Sequence, residues 1–342
     1  MKKTLIASAV AAAALTSTAA FAEEAAAPGI YGNIQLAHFW NEAEDKDGNA
    51  IPDDSGHAFL DGGSTLGFTH EHMISEGLTG FLKMEFEFDA DDKNGRIETD
   101  NGDTVKAAGL TQTDETFIGV KGDFGSIQVG SDDTVYEQFV NITDTSEQIG
   151  ISGNLTTIGE GDNAQYVGTF DAIKVGVTYK IDGDSTTTRG TQLAAAFETE
   201  EFYVAAAYSM ASDAEKDATN PGKEKGQDAI GVAAAMMMGD LTLQAQWEDK
   251  DDSESNAKDG GDYIGVQALY NMGAATFAAG YGIYGTNSTA ADKDDQSDIY
   301  LQALYNVSDN MYVYLEANMS DNYGNDKDVE NTATAIGATY YF

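Results

Sequence analysis

From about residue 30 to the C-terminus, apolar and polar residues alternate in short runs separated by Gly, Asn, Asp and Ser, the period of strands with one apolar and one polar face. Leu241, Leu243, Ala245 and Trp247 point one way, and Thr242, Gln244, Gln246 and Glu248 the other. Likewise Ile173, Val175, Val177, Tyr179 and Ile181 oppose Lys174, Thr178 and Lys180, while Met311, Val313, Leu315 and Ala317 oppose Tyr312, Tyr314, Glu316 and Asn318. Sixteen strands are predicted, at about 30–40, 64–74, 79–90, 114–122, 126–130, 163–170, 173–181, 191–198, 202–210, 228–238, 241–248, 262–271, 275–285, 298–306, 311–319 and 332–342. Charged, amide and phenolic side chains on the second face would be costly in a dry core but are solvated in a wet lumen. The pattern therefore predicts an all-β, 16-stranded antiparallel transmembrane barrel, apolar toward lipid and polar toward water.

The connections alternate in length, as an up-and-down barrel requires. Short turns such as Gly122-Asp-Phe-Gly-Ser126 and Met238-Gly-Asp240 are interleaved with long acidic loops at about 41–63, 91–113, 131–162, 182–190, 211–227, 249–261, 286–297 and 320–331. Seven short turns and eight long loops join sixteen strands and leave both termini on the short-turn, periplasmic side. Phe202 and Tyr208 mark opposite ends of one outward face, and Trp247 and Tyr281 lie toward the loop ends of theirs, where interfacial girdles belong. A soluble β-sandwich accounts for any single strand but not for sixteen with this polarity.

Met1-Lys-Lys3, the apolar stretch Leu5 to Ala14 and the Ala20-Phe-Ala22 site predict a secretory signal over 1–22, removed to leave a barrel over 23–342. Beyond it the best apolar run, Val232 to Met238, has seven residues, too few for a spanning helix. The formal net charge is −40, with 58 acidic against 18 basic residues, which repels nucleic acid and attracts cations, including divalent ions that could bridge to anionic headgroups. Cysteine is absent, which excludes disulfides and thiol chemistry.

Three segments, Gly29-Ile-Tyr-Gly-Asn-Ile-Gln-Leu36, the hairpin Phe117-Ile-Gly-Val-Lys-Gly-Asp-Phe-Gly-Ser-Ile-Gln-Val-Gly130 and the terminal Tyr340-Tyr-Phe342, resemble the general porins of Gram-negative outer membranes. The resemblance covers the mature chain. It implies a homotrimeric barrel in the bacterial outer membrane, set in lipid and lipopolysaccharide, that passes small hydrophilic solutes and ions. It also implies that the third long loop folds inward to narrow each pore, and that Phe342, with Tyr340, belongs to a signal read by the barrel assembly machinery.

By position the constricting loop is 131–162, which carries Asp132, Asp133, Glu137, Asp144, Glu147, Glu160 and Asp162, with no Lys or Arg between Lys121 and Lys174. The resemblance implies a cluster of arginines on the facing wall, and here the chain departs from it. Its arginines, Arg96 and Arg189, fall in predicted loops, and the inward basic residues are Lys83, Lys121, Lys174 and Lys180. Lys83 alternates with Glu85 and Glu87. The expected constriction is thus Asp132, Asp133, Glu137, Asp144 and Glu147 facing a wall that includes Lys83, Glu85, Lys121 and Lys174, and a cation-preferring pore follows.

The remaining motifs carry little chemistry. His70 and His72 project to one face of a strand but lack an evident third ligand, so no metal and no cofactor is expected. Asp45-Lys-Asp-Gly-Asn49 and Asp92-Lys-Asn-Gly-Arg-Ile97 echo calcium loops, yet aligning their glycines puts Ala43 and Ala90 at the first ligand position. No nucleophile and base pairing is recognisable, so no enzyme is expected. Two alternatives to an open channel stay in view: a substrate-selective channel using inward Tyr300, Tyr312 and Tyr314 as an aromatic track, and a structural or adhesive barrel.

Overall fold

The computed structural model describes residues 28–51, 55–91, 96–98, 104–106, 112–151, 153, 155–156, 158–181, 189–212, 227–250, 261–286 and 294–342. The signal over 1–22 and most of the loop motif beginning at Asp92 lie outside them. The strands run β1 (Gly29–Glu44), β2 in two segments (Gly56–Asp61 and Thr65–Ser75), β3 (Leu78–Glu87), β4 (Gln112–Gly122), β5 (Gly125–Ser131), β6 (Asn163–Phe170), β7 (Ile173–Lys180) and β8 (Arg189–Glu198). They continue with β9 (Phe202–Ser212), β10 (Ala229–Met238), β11 (Leu241–Lys250), β12 (Gly261–Met272), β13 (Ala275–Tyr284), β14 (Gln296–Ser308), β15 (Met311–Asp321) and β16 (Glu330–Tyr341). Each pairs antiparallel with its sequence neighbours, and β16 pairs with β1, Tyr340 opposite Ile34 and Ile336 opposite His38, so the sheet closes as a sixteen-stranded barrel. Closure removes the sheet edges, the condition for a β-structure to sit in hydrocarbon.

The alternation read from the sequence sorts the side chains as expected. Leu243, Trp247, Val177, Tyr179 and Leu315 are exposed on the outer surface, whereas Thr178, Lys180, Glu248, Tyr314 and Glu316 are buried on the inner one. Phe342 completes the seam, exchanging two backbone hydrogen bonds with Gly32 at 3.0 and 3.1 Å. Its ring lies over Gly32, where a Cβ would come within 2.7 Å of it. Tyr340 is outward, between Ile34 and Met311.

Two departures from the predicted elements have local causes. The predicted first loop, 41–63, is partly strand: β1 runs to Glu44, and Gly56–Asp61 pairs with Leu36 to Asn41. Its inward residues there, Ala58 and Leu60, are apolar, so the segment lacks the lumen polarity that marked the other strands. The turn is made by Asp45, whose Oδ1 accepts the N–H groups of Asp47 and Asn49, both at 2.9 Å. The break within β2 is a second Asp turn, Asp61 accepting from Gly63 and Ser64 at 2.9 and 2.7 Å.

The third loop contains a helix, α1 (Val135–Val140), that the strand period does not announce. Val135, Tyr136, Phe139 and Val140 form its apolar face and pack on Ala194, Ala196, Ala205, Ala207, Ala229 and Ala233, the inward residues of β8 to β10. Small residues leave the space the helix occupies. A Cβ on Gly231 would meet Val140 Cγ1 at 2.6 Å and the Tyr136 hydroxyl at 2.8 Å.

Leu315 sits near the middle of β15 on the outer surface. Leu315→Arg is expected to cost about 2–4 kcal/mol in denaturant unfolding from lipid vesicles, the range for a cation at the bilayer midplane.

Candidate pore constriction

A segment that leaves the barrel rim and packs on the inner wall takes its backbone N–H groups away from bulk water, and each needs an acceptor. The inward side chains of β7 to β15 supply them. Val135 N–H donates to Thr178 Oγ1 at 3.0 Å and Tyr136 N–H to Gln192 Oε1 at 3.2 Å. Ile142 and Thr143 N–H both donate to Gln246 Oε1, at 2.9 and 3.2 Å. The Glu316 carboxylate accepts three successive N–H groups, from Glu147, Gln148 and Ile149 at 2.6, 2.9 and 3.2 Å. Tyr300 Oη and Gln302 Nε2 donate to the same carboxylate, each at 2.9 Å. The Glu248 carboxylate accepts Leu155 N–H at 2.9 Å and Tyr136 Oη at 3.0 Å. Asn318 Nδ2 donates to the carbonyl of Gly150 at 3.1 Å. The third loop is thereby sewn to one side of the inner wall.

The acidic residues divide into two groups. Asp133, Glu137 and Glu160 hold carboxylate oxygens within 4.8 Å of one another. Asp132 accepts from Gln128 Nε2 and has Glu115 and Lys83 as charged neighbours. Asp144 and Glu147 are engaged elsewhere in the loop. Asp144 accepts from Ser146 N and Oγ at 3.1 and 2.6 Å, and Glu147 from Tyr312 Oη at 2.7 Å and Gln35 Nε2 at 3.2 Å.

Burial pushes the Asp132 carboxyl up to about 7, reinforced by Glu115, and the Asp133 carboxyl up to about 6, reinforced by Glu160 and Glu115. Burial also raises Glu147 to about 7, with the Tyr312 hydrogen bond opposing and the Glu316 charge adding. Between the ordinary carboxylate range and these values the folded loop binds more protons than the unfolded chain. Its arrangement therefore loses stability as pH rises through that window, while its negative charge grows.

On the wall, Lys83 ion-pairs with Glu115, has Glu85 at 3.8 Å, and lies 5.7 Å from the Tyr31 ring centroid. Lys121 pairs with Glu71 at 2.6 Å. Lys174 stands 4.7 Å from the Phe139 ring centroid, so it faces α1 rather than an open wall. Tyr300, Tyr312 and Tyr314 are buried at 0%, 8% and 2% exposure, and the first two donate to Glu316 and Glu147, so the suggested aromatic track lies beneath the loop. His70 and His72 stack at 5.9 Å, and His38 and His57 at 5.7 Å, on the outer face.

Sequence reasoning assigned no role to Glu316, Glu248, Gln246, Gln192, Thr178 or Gln302, the residues that hold the loop, nor to Glu115. Their signal is a run of inward hydrogen-bonding side chains on successive strands, which becomes an anchor line only once the register is known.

A family model described as Gram-negative porin matches residues 7–325. A monosaccharide porin of a Halomonas species and the major outer membrane protein of Halomonas elongata are each 30% identical, with all of both chains covered. The outer membrane porin protein OmpD of Salmonella typhimurium is 26% identical over 56% of this chain and 50% of its own. Among solved structures, OmpT of Vibrio cholerae in its trimer form superposes with a TM-score of 0.68 at 19% identity, covering 93% of this chain and 100% of that one. An anion-selective porin from Comamonas acidovorans gives 0.69 at 16% identity with the same coverage. At these identities the structural likeness speaks for the fold.

Glu316→Gln removes the charge that receives the three successive N–H groups. Amide exchange at Glu147, Gln148 and Ile149 is expected to speed up about ten-fold or more, while Ile142 and Thr143, held by Gln246, keep their protection. Hydrogen exchange on detergent-solubilised barrels reads both sets; unchanged rates at the first three would count against the anchor.

Proposed function

This chain belongs to the Gram-negative porins, channel proteins of the bacterial outer membrane, and we propose that it forms a water-filled passive pathway for small hydrophilic solutes that favours cations. One observation carries the cation preference. Lys83, the basic residue on the wall beside Asp132, is matched by Glu115 and Glu85, so the wall offers no net positive charge to set against the acids of the loop. Acidic side chains of the wall and of the loop then stand together along the pathway. Low-dielectric walls focus their field, raising cation concentration at the narrow level and lowering that of anions.

The 30% identical monosaccharide porin supports small sugars within the solute range. The burial of Tyr300, Tyr312 and Tyr314 beneath the loop favours diffusion over a stacked aromatic track. The trimer form of OmpT supports a three-copy assembly, and the position of Phe342 and Tyr340 at the closing seam suits a role in barrel assembly.

The test is the reversal potential of the purified protein in a planar bilayer under a potassium chloride gradient. A cation-selective potential is expected, and an anion-selective one would overturn the reading. Asp132→Asn combined with Asp133→Asn and Glu137→Gln should lower the cation-to-anion permeability ratio about two-fold or more, and Lys83→Met should raise it.

The raised carboxyls of Asp132 and Asp133 add a pH dependence. With Asp133 titrating at about 6 and Asp132 at about 7, both are largely ionised near pH 8 and largely protonated near pH 5, so the preference should be greatest near pH 8 and weaken toward pH 5. Bilayer recordings across that range should follow this direction; a flat or inverted profile would contradict the assignment of these residues.

A further inference from the structure

Lys180 closes β7 on the inner face with 3% exposure, and among the described residues its ammonium forms no ion pair with a carboxylate. Its Nζ donates instead to three successive carbonyls of the loop's returning end: Gly159 at 3.2 Å, Glu160 at 2.7 Å and Gly161 at 2.7 Å. That uses all three donors of an ammonium group. The backbone it gathers is a sharp turn, with Gly161 at φ +81° and Asp162 at φ +50°, tied further by Ile181 N–H to the Asp162 carbonyl at 2.8 Å. Asn163 Nδ2 reaches the Gly159 carbonyl at 3.5 Å.

Glu160 lies within this turn, and its carboxylate stands within 4.8 Å of those of Asp133 and Glu137. Three like-charged groups that close repel one another once ionised, so the backbone bearing one of them needs an independent restraint. We propose that Lys180 is a positioning residue for selectivity: by clasping the 159–161 carbonyls it fixes the Glu160 carboxylate beside Asp133 and Glu137, and so holds together the acidic side of the constriction. This rests on the cation-preferring reading of the site.

The role has an unusual signature. If Lys180 acted only as a positive charge near the lumen, its removal would raise cation preference. If it acts as a clasp, removal lets the turn drift, separates the carboxylates and lowers that preference. The two readings predict opposite signs.

The experiment compares reversal potentials and open-channel current noise at pH 8 for the wild-type channel, Lys180→Met, Lys180→Arg, Glu160→Gln and the double variant Lys180→Met/Glu160→Gln. The expected result is a cation-to-anion ratio lower by about two-fold or more in Lys180→Met, with increased noise. Lys180→Arg, which can still donate to carbonyls, should keep a ratio near wild type. Lys180→Met should change little once Glu160 is already neutral. A raised ratio with a quiet channel in Lys180→Met would overturn the proposal. Should Lys180→Met yield no folded barrel, Lys180→Gln replaces it and is judged on the same two outcomes. A wild-type channel without cation preference would instead defeat the reading of the constriction, and the noise of Lys180→Met would still decide for or against the clasp.

Discussion

Two carboxylates on the inner wall, Glu316 and Glu248, make it possible for a polar segment to lie inside this barrel. Between them they accept four backbone N–H groups of the third loop and the hydroxyls of Tyr300 and Tyr136. A backbone donor left without a partner away from water costs about 1–3 kcal/mol, so a loop without these acceptors would gain little by packing on the wall and could return to solvent. Charge strengthens each bond, and the fixed strands behind the carboxylates keep the geometry without further ordering. The apolar contacts of α1 on the alanines of β8 to β10 add burial, but they do not serve the stretch from Thr143 to Leu155, which the hydrogen bonds hold.

Once the loop is fixed to the wall, the character of the pathway depends on the charges that stand beside it. The wall beside the start of the loop carries Lys83 with Glu85 and Glu115, and Lys121 with Glu71. Each ammonium is paired with a neighbour of opposite sign, so where Lys83 bears on Asp132 and Asp133, Glu115 bears on them as well and the local balance stays acidic. Burial and neighbouring carboxylates raise Asp132 to about 7 and Asp133 to about 6, so the field depends on pH as well as on position.

Much of the barrel is legible in the sequence because a strand between lipid and water must alternate, and one misplaced residue would put a charge in hydrocarbon. Legibility fails where that demand lapses. Gly56–Asp61 turns apolar Ala58 and Leu60 inward and so reads as loop. The six residues of α1 are too few to show a helical period, and the alanines that receive them look like unremarkable strand residues until the helix is seen against them. At the site, charge marks Asp132, Asp133 and Glu137 as a concentration of acid and marks Glu147 equally, although Glu147 is bound to Tyr312. Glu316 meets the loop across a sequence separation of 169 residues from Glu147, a relation that no local pattern contains.

The chain has no cysteine, so a single thiol placed at Asp133 reports the potential at that point. The central claim is that the acids of the loop and of the wall beside it create a negative field there. The most direct measurement is the ratio of modification rates of Asp133→Cys by cationic and anionic methanethiosulfonate reagents of similar size, with a free thiol in solution as reference. The account predicts that the cationic reagent is favoured by about ten-fold or more over the reference ratio at low salt, and less so as salt is added. Equal rates, or a faster anionic reagent, would contradict it.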